Sequence, residues 1–173
     1  MDAMDAIFTR RSVRNFTYQP IPLEELEILI RAAMQAPSAG NKQPRQYVVI
    51  TDQRKLEEIT TFHPYAQMLL EASAAVVICG DERIQPKAGY WAQDCSAAME
   101  NLLLAVHARG LGAVWLGVYP NPDRMNPLHS MLNLPLEVQP LGIAAIGFPT
   151  EAVEPVDRYD TKVVHWNGWQ EEE

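Results

Sequence analysis

The feature that most constrains the fold is the longest helical pattern of the chain, which covers residues 89–109. Its apolar side chains recur at helical spacing and form one stripe of Cys95, Ala98, Met99, Leu102, Leu103 and Val106. About twenty helical residues give a length of roughly 30 Å, which is the width of a small domain. We therefore predict a central helix that crosses the domain and ends at Gly110, a favourable C-terminal cap.

Four short apolar segments predict strands, at residues 46–51, 74–80, 111–119 and 139–148. Further helices are predicted over residues 2–9 and 23–34, from a cap at Asp52 to Thr60, over 64–70, and from a cap at Asn121. Helices therefore precede the first strand and afterwards alternate irregularly with strands. This order favours an α+β fold, with helices packed on a mixed sheet, over a regular doubly wound fold.

The composition of the chain fits one domain that spans residues 1–173. The formal charge of −8 argues against a general nucleic-acid binder, because such a protein needs a basic surface to displace counterions. The longest apolar stretches are far shorter than the ~20 residues of a membrane helix. Cys79 and Cys95 form no C-x-x-C pair, and the first residues do not read as a secretory signal. We therefore expect a cytoplasmic protein.

Common cofactor and metal motifs are incomplete in this chain. Gly110-Leu111-Gly112 begins a dinucleotide-binding pattern, but Trp115 takes the place of the third glycine and the segment enters a strand. The four histidines lack zinc-ligand spacing, and Cys95 lies on an apolar stripe. We expect no Rossmann site, no metal site and no cysteine nucleophile.

Two polar loops carry residue types that suit an anionic and flat cofactor. The first is residues 10–16, Arg-Arg-Ser-Val-Arg-Asn-Phe, and the second is residues 36–44, Ala-Pro-Ser-Ala-Gly-Asn-Lys-Gln-Pro. Guanidinium groups bind phosphate in a bidentate manner, and a hydroxyl adds a neutral donor. Small residues let a backbone approach a flat ring closely. Either loop alone also occurs as a plain surface connection.

These two loops, in this order, resemble those of the FMN-dependent nitroreductase family. Segments 110–117, 147–149 and 157–169 fit the same family, so the resemblance covers nearly the whole chain. It implies a three-layer α+β fold whose mixed central sheet is flanked by helices. It also implies a homodimer with FMN at the subunit interface, in which residues 150–173 form a C-terminal arm that wraps the partner subunit. Trp166 and Trp169 of this arm need a surface to pack against.

The resemblance assigns the first loop to the phosphate end of FMN. It implies that Arg10 and Ser12 hold the phosphate, with Arg158 as a further cation, and that Arg11 lies near the phosphate or the ribityl chain. Arg14 is expected at the N1/O2 edge of the flavin ring. Two-electron reduction puts negative charge at that edge, so a fixed cation there raises the reduction potential.

The resemblance assigns the ring of FMN to two other segments. Contacts from the partner subunit are expected from Pro37, Ser38, Asn41 and Gln43 of the second loop. On the other side of the ring, near N5, the expected residues are Leu116, Gly117 and Val118. A backbone N–H in this second segment can donate a hydrogen bond to N5.

The activity implied by the resemblance is hydride transfer from NADH or NADPH to a nitroaromatic, a quinone or a similar acceptor in a ping-pong cycle. The cofactor supplies this chemistry, so no catalytic side chain is assigned. The alternative is a non-catalytic flavin carrier or redox-sensing module. The acceptor, the choice between NADH and NADPH and the biological role stay open, and the substrate-side walls are expected near residues 62–70 and 83–92.

Overall fold

A computed structural model describes residues 1–87 and 89–169 of the chain. Within these residues the α-helices are α1 (Ala3–Thr9), α2 (Leu23–Met34), α3 (Gln53–Phe62), α4 (Tyr90–Ala108) and α5 (Pro122–Leu132). The strands are β1 (Phe16–Thr17), β2 (Arg45–Ile50), β3 (Ala74–Asp81), β4 (Gly112–Gly117) and β5 (Val138–Pro149). Short 3-10 helices cover Ala39–Asn41, Gln67–Leu70 and Thr161–Val163.

Most predicted elements are present, with three local differences. The segment predicted as a helix over 64–70 is a 3-10 helix at Gln67–Leu70. The strand predicted over 111–119 ends at Gly117, because the N–H groups of Val118 and Tyr119 both donate to the carbonyl of Leu141. Strand β1 was not predicted, since two residues are too short to produce an alternating pattern.

The sheet is built around β5, which lies between β3 and β4. Strand β2 extends the sheet beyond β3, and β1 pairs with the last residues of β5. All pairs of described strands are antiparallel, and the parallel contact is a bridge between Ser12 and Ala113 at the outer edge of β4. The expected α+β fold is confirmed. Among the described residues its five strands pair antiparallel, and parallel pairing occurs only at this edge bridge.

Helices cover both faces of the sheet and give the expected three layers. Helices α2 and α4 pack on one face, and α3, α5 and the 3-10 helix at Gln67–Leu70 pack on the other. The predicted stripe of α4 is buried against the sheet. Burial raises the pKa of the Cys95 thiol to about 12, so this cysteine is protonated at neutral pH and packs as an apolar group. The central helix is therefore confirmed.

A pair of glycines allows the first loop to cross the end of the sheet. Gly112 of β4 and Gly147 of β5 are direct cross-strand partners. A Cβ at Gly112 would lie 2.8 Å from the side chain of Val13, and a Cβ at Gly147 would lie 2.8 Å from the ring of Phe16. The chain therefore passes from the outer edge of β4 at Ser12 to β1 by lying directly on these two glycines.

The C-terminal arm is extended and exposed. The rings of Trp166 and Trp169 are 74% and 82% exposed, and His165 stacks on Trp169 with 4.1 Å between ring centroids. The body of the same chain therefore does not cover these tryptophans, and their burial by a partner subunit stays a prediction. The last arm residues, 170–173, lie outside the described residues. Among the described helices, none has the length and apolar character needed to span a membrane.

Candidate functional site

The arginine-rich loop begins where α1 ends. Arg10 caps α1 and forms an ion pair with Glu100 of α4, with 3.4 Å between Nε and Oε1. The Nη1 of Arg11 donates to the carbonyl of Glu154 in the arm at 3.1 Å. The side chains of Ser12 and Arg14 are exposed and have no hydrogen-bond partner among the described residues. The loop therefore presents cations and a hydroxyl at the surface.

The outer edge of β4 lies next to this loop. In an antiparallel strand the N–H and C=O of one residue point to the same side, and successive residues alternate. The carbonyl of Ala113 accepts from Val13, whereas the N–H of Val118 faces inward to Leu141 at 3.2 Å. Gly117 therefore faces outward like Ala113, and its N–H has no acceptor among the described residues. Of the three residues predicted near N5, only Gly117 directs its N–H to this edge.

Two side chains hold the carbonyl of Gly117. The Nε2 of His63 lies 3.0 Å from this oxygen, and Nη1 of Arg124 donates to it at 2.9 Å. The other ring nitrogen of His63 accepts the N–H of Tyr65 at 3.3 Å. These partners require the neutral tautomer of His63 with its proton on Nε2. Burial of this 1%-exposed side chain lowers the pKa of His63, which favours the same neutral form.

Arg124 and His63 were not predicted as site residues. The sequence indicates only that His63 lacks zinc-ligand spacing, and its buried ring, bonded at both nitrogens, gives it a structural role. The one available signal for Arg124 was its position. It follows the cap at Asn121 and the first-turn Pro122, so it lies in the first turn of a helix that begins directly after β4.

The second loop is held by buried polar side chains that lie outside it. Nη1 of Arg45 donates to the carbonyls of Ala36 and Pro37 at 2.8 and 3.0 Å. The Oδ1 of Asp94 accepts the N–H of Ala39 at 2.7 Å, and Nε2 of Gln85 donates to the carbonyl of Ala39 at 3.2 Å. All three anchoring side chains are buried. The backbone at the start of this loop is therefore fixed from the protein interior.

The predicted contact residues of the second loop form a compact exposed turn. Ser38 Oγ accepts the N–H of Gln43 at 2.9 Å, and Asn41 Oδ1 accepts from Gln43 Nε2 at 2.8 Å. Gly40, Asn41 and Gln43 adopt positive φ angles of 59°, 52° and 50°. Asn tolerates this region better than most residues, whereas Gln does not, so the Gln43 conformation is set by its bonds. Pro37, Asn41 and Gln43 face solvent.

Arg158 and α1 line a cavity of about 680 Å³ between the arm and the body. Its lining includes Ile7, Phe8 and Thr9 of α1, and Thr9 directly precedes Arg10. The Arg158 guanidinium is exposed and has no ion-pair partner among the described residues. The fold thus brings Arg158 to the same end of α1 as the arginine-rich loop.

The predicted site residues fall into two groups in one chain. Ser12 bridges Ala113, and Gly117 lies about 13 Å further along the same strand edge. Arg10, Arg11, Ser12, Arg14 and Gly117 therefore lie along one elongated surface, whereas the predicted residues Leu116 and Val118 are buried in the core behind it. Within the described residues, no hydrogen bond joins the second loop to this surface. That the second loop serves a partner subunit stays a prediction.

Comparison with known proteins assigns this fold and these loops to a family. The model of the nitroreductase family matches residues 7–78 and 63–148. The chain belongs to the nitroreductase family. This confirms the resemblance inferred from the two loops and the third strand.

Individual relatives cover nearly the whole nitroreductase-family chain. A protein of Methanothermobacter thermautotrophicus, provisionally named NADH dehydrogenase/NAD(P)H nitroreductase, is 38% identical over 98% of this chain and 88% of its own length. A crystal structure from Parabacteroides distasonis with the same provisional name superposes with a TM-score of 0.92 at 40% identity, over 96% of this chain and 98% of that one. An FMN-dependent nitroreductase of Clostridium difficile gives a TM-score of 0.88 at 25% identity, over 96% and 99% of the two chains.

Proposed function

We propose that this nitroreductase-family protein is an NAD(P)H-dependent FMN oxidoreductase that works as a homodimer. It would transfer hydride from NADH or NADPH to a nitroaromatic, a quinone or a similar acceptor in a ping-pong cycle. The names of the relatives support a nicotinamide-dependent oxidoreductase and, for one solved structure, FMN. The observation that carries the proposal is the juxtaposition of the arginine-rich loop with a β-strand edge where the N–H of Gly117 has no acceptor in the part of the chain that the structure describes.

The charges of the first loop fit the phosphate of FMN. The chain carries a net charge of −8, yet Arg14 and Arg158 have no acidic partner among the described residues. Among the described residues, Arg11 binds a carbonyl at 3.1 Å and no carboxylate. The ion pair of Arg10 with Glu100 involves Nε and a half-exposed carboxylate, which makes it weak and leaves both terminal nitrogens of Arg10 for another anion. We assign the phosphate to Arg10, Ser12 and Arg158, with Arg11 beside them.

The edge of β4 fits the flavin ring. Gly117 has no atom within 4 Å of the position that a Cβ would take, so a flat group can approach its backbone closely. Its N–H is the donor that we assign to N5. The N–H groups of Leu116 and Val118 serve the sheet and their side chains are buried in the core, so these two residues would support the position of Gly117 from behind. Arg14 projects from the neighbouring loop and is assigned to the N1/O2 edge.

The second loop would complete the pocket from the partner subunit. Pro37, Asn41 and Gln43 are exposed and Ser38 is half-buried; together they offer amide and hydroxyl groups, and the backbone of the loop is held by buried side chains. Such a preset surface can bind a rigid ring without a large loss of loop entropy. The exposed tryptophans of the arm supply apolar area for the same subunit contact.

Bound FMN would supply the redox chemistry, by accepting hydride from the nicotinamide and passing two electrons to the acceptor. The protein would contribute position and charge. The N–H of Gly117 would bind the ring, the phosphate cations would hold the anionic end of the cofactor, and Arg14 would stabilise the negative charge of the reduced ring. No side chain of the chain needs to act as a nucleophile.

Steady-state turnover tests this proposal directly. The purified protein, supplied with FMN, is expected to oxidise NADH or NADPH when menadione or a nitrofuran is present. Double-reciprocal plots of rate against NAD(P)H concentration, measured at several acceptor concentrations, should give the parallel lines of a ping-pong cycle. A yellow protein that binds FMN without turnover would instead support the alternative, a flavin carrier or redox-sensing module. A protein that binds no FMN would contradict both.

A further inference from the structure

Arg124 and Tyr65 form a contacting pair beside Gly117, and neither side chain has a role in the FMN site proposed above. The guanidinium carbon of Arg124 lies 5.4 Å from the centroid of the Tyr65 ring, which is a cation–π contact. The same guanidinium donates to the carbonyl of Gly117 at 2.9 Å. Arg124 is thus attached to the residue whose N–H faces the proposed cofactor site.

The pair is held in place from several sides. Asn121 Oδ1 accepts the N–H of Asp123 at 2.9 Å and starts α5, which places Arg124 in its first turn. The ring of His63 accepts the N–H of Tyr65 and also bonds the Gly117 carbonyl. The buried His63 therefore links the Tyr65 segment to the end of β4. A guanidinium that is already oriented loses little entropy when it binds an anion.

The charge of Arg124 has no counterpart in the described residues. It forms no ion pair there, although the chain has 22 acidic and 14 basic residues. One of its five N–H donors is used by Gly117. The Tyr65 ring beside it is 68% exposed. An unpaired cation next to an exposed aromatic face suits a planar ring compound that carries a negative group.

We propose that Arg124 and Tyr65 form a subsite for the anionic group of a planar ring compound that meets the cofactor at the edge of β4. This inference rests on the proposed function, because the compound must stack at the Gly117 edge. The anionic group is either a carboxylate on an aromatic electron acceptor or a phosphate of the nicotinamide nucleotide. Both sources share the same recognition chemistry, a charge-assisted hydrogen bond from guanidinium.

Equilibrium binding tests the subsite without turnover. Benzoate and benzamide have nearly the same shape and differ in charge, and both can be titrated into the FMN-loaded protein by calorimetry. The wild-type protein is expected to bind benzoate about tenfold more tightly than benzamide. Arg124→Gln should reduce this preference to about twofold or less, and Arg124→Lys should retain part of it because the charge remains.

Arg31→Gln is the matched control. Like Arg124, Arg31 has no ion pair among the described residues, but it is exposed and lies on α2 in the opposite layer. This variant should keep the full preference for benzoate. Unchanged FMN content and thermal unfolding in Arg124→Gln would show that a lost preference does not reflect unfolding or loss of cofactor.

Kinetics then separate the two sources of the anion. A fall of about tenfold in kcat/KM for para-nitrobenzoate, with para-nitrobenzamide unchanged, supports the acceptor as the source. A similar fall for NADH or NADPH supports the nucleotide. A flavin-loaded, active protein that lacks the benzoate preference, or keeps it in Arg124→Gln, overturns the subsite alone. A protein that neither binds FMN nor oxidises NAD(P)H overturns the subsite and the proposed function together.

Discussion

The two loops that identify the family are built in opposite ways. In the first loop, residues 10–16, the polar side chains of Ser12 and Arg14 point outward while the side chains of Val13 and Phe16 pack on two glycines of the sheet. In the second loop, residues 36–44, the backbone is held by the buried side chains of Arg45, Gln85 and Asp94. The first loop therefore acts through charge, and the second acts through shape. Substitutions in the two regions should differ in whether they change ligand affinity or protein stability.

The largest expected effect is on stability, at Arg45. This 8%-exposed side chain donates to the carbonyls of Ala36, Pro37 and Met34, and Arg45→Met would leave those carbonyls without partners. We expect the free energy of unfolding to fall by about 3 kcal/mol, measured by urea denaturation. Arg31→Met, at an exposed position, should change it by less than about 0.5 kcal/mol. Equal effects at both positions would contradict the role assigned to Arg45.

Alanine substitutions at two glycines of β4 should have different effects, one on protein stability and the other on FMN binding. Gly112→Ala places a methyl group 2.8 Å from Val13, a stiff β-branched side chain, so we expect a loss of about 2 kcal/mol in the free energy of unfolding. Gly117→Ala meets no atom within 4 Å and should leave stability nearly unchanged, but its methyl group should weaken FMN binding. If Gly112→Ala were as stable as wild type, the first loop would not rest on the sheet as described.

The charge of the first loop should be visible in the flavin potential. Arg14→Ala is expected to lower the two-electron reduction potential of bound FMN by about 20 mV, which corresponds to roughly 1 kcal/mol for a partly screened cation. Arg14→Lys should recover most of this change. Spectroelectrochemical titration measures the potential. An alanine variant that binds FMN with an unaltered potential would remove Arg14 from the N1/O2 edge.

The smallest expected effect is the pH dependence contributed by His63. Burial lowers the pKa of His63 in the folded protein below the value near 6.5 of the unfolded chain. The unfolded state therefore binds more protons, and stability falls as the pH decreases through about 6.5. Below that pH, His63→Gln should reduce the pH slope of the free energy of unfolding by less than about 1 kcal/mol per pH unit. Burial also lowers the pKa of His107, which should therefore keep part of the pH slope in the His63→Gln variant. A slope in His63→Gln equal to that of the wild type would contradict a neutral, buried ring at His63.

The parts of the fold that follow a local pattern were predictable from the sequence. The stripe of α4, the caps at Asp52 and Asn121 and the apolar run of β3 each depend on neighbouring residues. The two loops were identifiable because their residue types and order resemble a family. Strand β1 and the shortened β4 depend on pairing with β5, which no local pattern contains.

The anchoring residues were not predictable for a different reason. Gln85 and Asp94 bond Ala39 from positions 46 and 55 residues further along the chain. Arg124 and His63 meet Gly117 only because α5 and the segment after α3 converge on the end of β4. In the sequence these side chains look like ordinary polar residues of strands, loops and helix faces. Their role arises from tertiary contacts, which the sequence does not display. The first loop could therefore be predicted from its own residues, whereas the side chains that hold the second loop could not.

The affinity of the protein for FMN compared with riboflavin tests the central claim most directly, because the two ligands share the ring and differ in the phosphate. If Arg10, Arg11, Ser12 and Arg158 bind the phosphate, fluorescence titration should show FMN binding about 100-fold more tightly than riboflavin, with a difference that shrinks as salt is added. Equal affinity for the two ligands, or a difference of undiminished size when Arg10 and Arg158 are both replaced by alanine, would contradict the assignment of these cations to the cofactor phosphate.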